Sequence, residues 1–74
     1  MSKTRDEGIL EVFGRNLQSI RESKGISLRN LESLTDVDFS EIHRIEKGKR
    51  NPTLTILLAL AKGLGVEPKD LLDF

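Results

Sequence analysis

The 74-residue sequence contains no cysteine, no tryptophan and no tyrosine, and it holds only two prolines and one histidine. Each absence excludes a class of protein. Without cysteine there is no disulfide staple, and the usual thiolate zinc sites are ruled out. His43 stands alone, with no second His or Cys beside which it would ligate a metal. No spacing around it suggests a nucleophile–base–acid set, so neither an enzyme nor a cofactor is expected. No apolar run approaches the roughly 18 residues that span a bilayer. The start, Met1 to Gly8, is polar and mixed in charge, unlike a secretory signal. A cytoplasmic protein is the simplest expectation. Excess charge is also missing: twelve Lys and Arg balance twelve Asp and Glu. A neutral chain is no bulk condenser of nucleic acid, so any DNA binding must come from a local patch.

What is present is an aliphatic, helix-forming pattern. A domain of this size buries only about 60% of its unfolded surface, so stability rests on an efficient core or on oligomerisation. Residues 1–8 read as a flexible N-terminal tail and 9–74 as one domain. The first helix is predicted from Ile9 to Lys24, with Ile9, Val12, Phe13, Leu17 and Ile20 on one face. Gly25 is a natural left-handed stop. Ser27 suits the N-cap of a second helix over Leu28 to Thr35, with Leu28, Leu31 and Leu34 as its stripe. Asp36-Val37-Asp38 breaks that helix, because both Asp side chains compete for backbone N–H groups. Asp38 then caps a third helix over Phe39 to Lys47, and its charge suits the positive helix end. Only Ile42 and Ile45 form a buried stripe there, which leaves much of the third helix exposed. Thr53 caps a fourth, strongly apolar helix over Leu54 to Leu64, and Pro68 opens a short fifth helix. The fold class is all-α, a compact bundle of five short helices.

The order of these pieces points to chemistry. A short helix held out from a bundle, followed by the basic loop Lys47-Gly48-Lys49-Arg50-Asn51-Pro52, suits a DNA major groove. Arg44 lies on the exposed face of the third helix and carries a fork that matches guanine O6 and N7. The plainer alternative is a solvated Arg paired with Glu41 or Glu32. Phe39, on the open side of the helix start, either meets a thymine methyl group or tucks back onto the second helix. Lys47, Lys49 and Arg50 directly follow this helix, which favours phosphate contact over a merely solvated loop.

Several segments in order resemble the Cro/lambda-repressor-like, or Xre-type, helix-turn-helix family. Phe13-Gly14 with Leu17, Ile20 and Arg21 is similar to its first helix. Lys24-Gly25-Ile26-Ser27-Leu28 with Leu31 is similar to the entry of its second. Val37-Asp38 with Ile42, Ile45, Glu46 and Gly48 resembles its turn and recognition helix. Lys49 to Leu54 resembles the following loop, and Leu60 to Val66 its fourth helix and exit. The likeness spans roughly residues 12 to 72 and implies a lambda repressor-like DNA-binding domain. It implies that the third helix enters the major groove, with Phe39, Ser40, His43 and Arg44 beyond the Asp38 cap facing the bases. Lys47, Lys49, Arg50 and Asn51 would hold phosphates. Ser27, Leu28 and Arg29 would meet another phosphate through free backbone N–H groups. Arg21 and Glu46 are implied to form a structural ion pair. The chain departs from the family pattern at Glu32, where a small residue is usual, at Asp36 in place of Gly, and at Leu28 in place of Gln. Asp38 and Glu41 also add acids to the third helix.

The function these features imply is sequence-specific binding of double-stranded DNA by a small transcriptional regulator of repressor or controller type. One copy offers few contacts, so a homodimer is expected, with its third helices about 34 Å apart. Leu71, Leu72 and Phe74 are the expected dimer interface. Similar small proteins serve as phage repressors, restriction-modification controllers or antitoxins. The rival reading is a protein-interaction module, such as an antitoxin, that docks a partner protein through the apolar C-terminal end.

Overall fold

A computed structural model describes residues 5–74. Five helices follow one another: α1 Glu7–Ser23, α2 Leu28–Thr35, α3 Phe39–Glu46, α4 Leu54–Leu64 and α5 Pro68–Leu71. The expected limits of α2 and α4 match these bounds. α1 begins two residues earlier than expected and takes Glu7 and Gly8 out of the tail. The Asp6 carboxylate sets this start by accepting the Ile9 N–H at 3.0 Å. The tail expectation for residues 1–4 lies outside the described residues.

The other helix starts follow the same chemistry. The Ser27 hydroxyl accepts from Asn30 N at 3.0 Å, the Asp38 carboxylate from Ser40 N at 3.2 Å, and the Thr53 hydroxyl from Ile56 N at 3.2 Å. At α5, Glu67 N donates to Asp70 Oδ2 at 2.9 Å. Each bond satisfies a donor that a helix end would otherwise leave free.

Phe13, Leu17, Leu31, Ile42, Ile45, Leu60, Ala61, Leu64 and Leu71 form one core drawn from all five helices. α1 presents Leu10, Phe13, Gly14, Leu17 and Arg21 to it. That stripe is rotated from the expected one: Ile9 is 53% exposed, while Leu10 is buried. Gly14 fixes the rotation. A Cβ there would lie 2.4 Å from the Glu46 carbonyl oxygen, so α1 and the end of α3 touch backbone to backbone. Gly48, at φ +74°, turns the chain out of α3 directly beneath Glu11, where a Cβ would meet the Glu11 Cγ at 2.7 Å. On α4, Leu60, Ala61 and Leu64 are buried, but Leu54 and Leu58 face outward.

Leu71 requires a correction. It was expected at a dimer interface, yet it is wholly buried inside its own chain. The Asn16 side chain amide holds this end of α5 against α1, donating to the Asp70 and Leu71 carbonyl oxygens at 3.1 and 2.9 Å. Leu72 remains more than half exposed. Phe74 is also exposed in part, but its ring packs edge-on to Phe13 with centroids 6.3 Å apart.

Candidate nucleic-acid interface

The α2–turn–α3 unit is built by local hydrogen bonds. Thr35 ends α2 by donating its hydroxyl to the Leu31 carbonyl at 2.7 Å and accepting Val37 N at 3.1 Å. Asp36 then adopts the left-handed conformation, at φ +61°, which short polar side chains tolerate better than most. Asp38 starts α3. Its carboxylate is held below the usual carboxylate range, first by the Ser40 hydroxyl and then by the Ser40 N–H. Ile42 and Ile45, both with no exposed surface, seat the helix on the core. His43, Arg44 and Lys47 are consequently exposed, while Phe39, Ser40 and Glu41 are half-buried.

A second anchor is electrostatic. Arg21 grips Glu46 with two charge-assisted bonds, Nε to Oε2 at 2.6 Å and Nη2 to Oε1 at 3.0 Å. Its Nη1 also donates to the Ile26 carbonyl at 2.8 Å. One buried guanidinium thus ties α1, the approach to α2 and the end of α3. The hydrogen bonding of Arg21 to the Glu46 carboxylate is the main reason the Arg21 pKa rises above its ordinary value, and burial opposes it.

The acids around α3 are engaged. Glu41 Oε2 pairs with Arg50 Nε at 3.2 Å, and Glu32 Oε2 accepts the Phe39 N–H at 3.3 Å. Both carboxylates proposed as plain partners for Arg44 therefore bond elsewhere. Arg44, Lys47 and Lys49 have no ion pair among the described residues. The unexpected neighbour is Arg50, which leans on Glu41 rather than standing free. Phe39 lies beneath the Arg29 guanidinium, 3.9 Å from the ring centroid, so it does contact α2, through a cation rather than through the core. Ser27, Leu28 and Arg29 sit at the α2 start, where the first helical N–H groups point outward.

Two placements were not visible in the sequence. Arg15 and Gln18 of α1 share a polar cleft with Lys47, Glu11 and Glu46. They add an α1 flank to the cations that follow α3. The implied Arg21–Glu46 pair was the sequence signal that α1 and the end of α3 lie side by side, and the close approach at Gly14 shows how near they come. Asn51, expected beside phosphates, is exposed but borders an apolar groove with Pro52, Leu57, Leu72 and Phe74.

Comparison with known proteins gives a consistent result. A helix-turn-helix family matches residues 17–71. The control protein C.BamHI of Bacillus amyloliquefaciens is 42% identical over 64 residues, covering 85% of this chain and 79% of that protein. Among solved structures, the restriction-modification controller protein C.AhdI of Aeromonas hydrophila superposes with a TM-score of 0.82 at 35% identity. That match covers 89% of this chain and 98% of that one. The clp gene regulator ClgR of C. glutamicum superposes with a TM-score of 0.81 at 28% identity, covering 86% and 83%.

Proposed function

Because the chain belongs to the helix-turn-helix family, a family of DNA-binding regulators and not of enzymes, we propose that α3 is its base-reading helix. The protein is a DNA-binding transcriptional regulator. Its similarity to two control proteins across most of their length supports a controller role within that class, acting in the cytoplasm. The observation that carries the site assignment is the set of exposed cations Arg44, Lys47 and Lys49. All three are without ion pairs among the described residues, and they lie at or just beyond the end of a helix fixed by Ile42, Ile45 and the Arg21–Glu46 pair.

In this reading His43 and Arg44 face base edges, with Arg44 forking onto a guanine. Lys47, Lys49 and Arg50 hold phosphates, as do the α2 N–H groups at Leu28 and Arg29. The test is selection of bound duplexes from a random pool, then affinity for the selected and scrambled duplexes. Arg44→Ala should lose about 1 to 3 kcal/mol on the selected site and relax its preference, with the fold intact. A folded variant with unchanged discrimination would sink the assignment.

We further propose a homodimer. Ile9, Leu54, Leu58, Leu72 and Phe74 are exposed apolar side chains outside the DNA-facing segments, and Ile9, Leu72 and Phe74 border one groove. A two-fold contact there would have to set two copies of α3 for adjacent turns of the duplex. Sedimentation of Leu72→Ala combined with Leu58→Ala should show monomers. A folded variant that stays dimeric removes this surface from consideration.

A further inference from the structure

The head of α3 carries a feature that neither the core nor the ion pairs explain. Phe39 is the first residue of α3, and it is not part of the buried cluster. A large aromatic ring at the exposed start of a helix is normally free to swing among rotamers. Here two charged side chains of α2 hold the residue, one at its ring and one at its backbone. The Arg29 guanidinium covers one ring face at 3.9 Å, and Glu32 accepts the Phe39 backbone N–H at 3.3 Å. The Asp38 carboxylate caps the next N–H, that of Ser40. Arg29 and Glu32 stand three residues apart on α2, so one helix face supplies both contacts.

This arrangement does little for the core, since Phe39 stays half-exposed and both clamping groups are polar. It does restrict where the ring points. In a major groove the base edges offer hydrogen-bond donors and acceptors at every pair, and one apolar group: the C5-methyl of thymine. A phenyl ring has no hydrogen-bonding group, so against any other base edge it leaves polar atoms unsatisfied. Meanwhile the outer donors of Arg29 remain available, near the α2 start where a phosphate is expected.

We infer that Phe39 is a specificity-determining residue that seats a thymine 5-methyl group, with Arg29 and Glu32 as the positioning residues that aim its ring. This rests on the reading of α3 as the base-reading helix. It adds to that reading the chemical group recognised and the two α2 side chains that make recognition possible. Arg29 couples the two kinds of contact: a guanidinium bridging a phosphate and the ring transmits the backbone register to the base-reading side chain.

The experiment uses the duplex recovered from random-pool selection, with each thymine replaced singly by deoxyuridine. This change removes one methyl group and keeps every hydrogen-bonding edge. Wild-type affinity should fall about four-fold at one thymine per half-site, the effect of losing one buried methyl-sized group. Phe39→Ala should bind the thymine and uracil duplexes equally. Arg29→Gln should reduce that ratio towards one, and Arg29→Lys should restore part of it, since an ammonium also sits over a ring face. A general loss of phosphate affinity would leave the ratio unchanged, so a constant ratio in Arg29→Gln overturns the positioning role. Equal wild-type affinity for every uracil duplex overturns the thymine assignment, as does a ratio that survives in a helical Phe39→Ala. Should wild-type protein select no duplex at all, it is the underlying reading of α3 that fails.

Discussion

Replacing Glu46 with Ala gives the most direct test of how the recognition surface is held. Glu46 is nearly inaccessible and Arg21 only 8% exposed, so the pair sits largely out of water. Removing the carboxylate strips two of the three hydrogen bonds of the Arg21 guanidinium and leaves the Ile26 carbonyl and, at 3.8 Å, the exposed Glu22 carboxylate. Breaking a buried pair from one side typically costs about 3 to 5 kcal/mol, because a buried charge loses its close partner; the solvated Glu22 carboxylate is a weak substitute. A domain of this length has a total stability of about 4 to 11 kcal/mol. Glu46→Ala should therefore lower Tm by about 12 °C or more, at about 4 to 8 °C per kcal/mol. It should leave a substantial unfolded population at 37 °C.

The assay is thermal and urea unfolding followed by helicity, with a double variant as the control. Arg21→Met with Glu46→Leu removes both charges and keeps the volume filled, and such swaps are often close to neutral. The double variant should recover most of the stability lost by the single one. A Glu46→Ala shift below about 4 °C would mean the pair contributes less than about 1 kcal/mol. That result, or a double variant as unstable as the single, refutes the view that the guanidinium needs its carboxylate. Arg21 is shifted upward, so its contribution is complete below its ordinary pKa and is lost only in strong alkali. Through Arg21, the effect of the pair should not vary across neutral pH.

Gly14→Ala should destabilise the fold by about 1 to 3 kcal/mol or more, because its methyl group meets two backbone carbonyl oxygens that cannot swing aside; urea unfolding measures this. Asp36→Gly should stabilise by up to about 1 kcal/mol, since glycine adopts the left-handed conformation without a Cβ clash. A destabilised variant would show that the Asp36 side chain contributes more than its backbone strain costs. The Asp38 carboxylate is shifted downward, so its capping contribution is complete above about pH 4 and fades as pH falls through its lower folded value. Tm measured from pH 5 to 2 should fall more steeply for wild type than for Asp38→Asn, and parallel curves would remove this role.

Much of the fold was legible because its helix limits are set by local chemistry. Ser27, Asp38 and Thr53 each cap within three residues, and no distant contact is needed to see them. The phase of α1 was less legible. Ile9 and Leu10 are equally apolar neighbours, and the choice between them is made by Gly14 and Arg21, neither of which scores as a core residue. Leu71 and Leu72 posed the same problem in a helix of four residues, too short to show a period. The exposed face of α3 followed from its two-isoleucine stripe, whereas the partners of its acids did not. Glu41 reaches Arg50 across the turn after α3, and Glu32 takes a backbone N–H seven residues along the chain. Side-chain chemistry alone makes Arg44 an equally good partner for both.

These pairings explain how a chain of zero net charge can present a basic surface. Near α3, Glu46 is held by Arg21, Glu41 by Arg50, Glu32 by the Phe39 N–H and Asp38 by Ser40. The acids gather at the head and inner side of α3, while Arg44, Lys47 and Lys49 gather at its tail. This polarity matches the helix dipole, which favours anions at the first turn and cations at the last. In the proposed reading of α3 it also divides the work of recognition along the helix. Beyond Arg44, the helix end and the loop after it, with Lys47, Lys49 and Arg50, suit the phosphate backbone. The head, with its carboxylates already bonded and its Phe39 ring clamped, suits an apolar base contact rather than another cation. Few phosphates are then neutralised per copy. With Lys47, Lys49 and Arg50 as the cationic phosphate contacts, the log–log salt slope should be about −3 per copy. So shallow a slope leaves discrimination to base contacts and to pairing of two copies, which is where a small neutral regulator can place it.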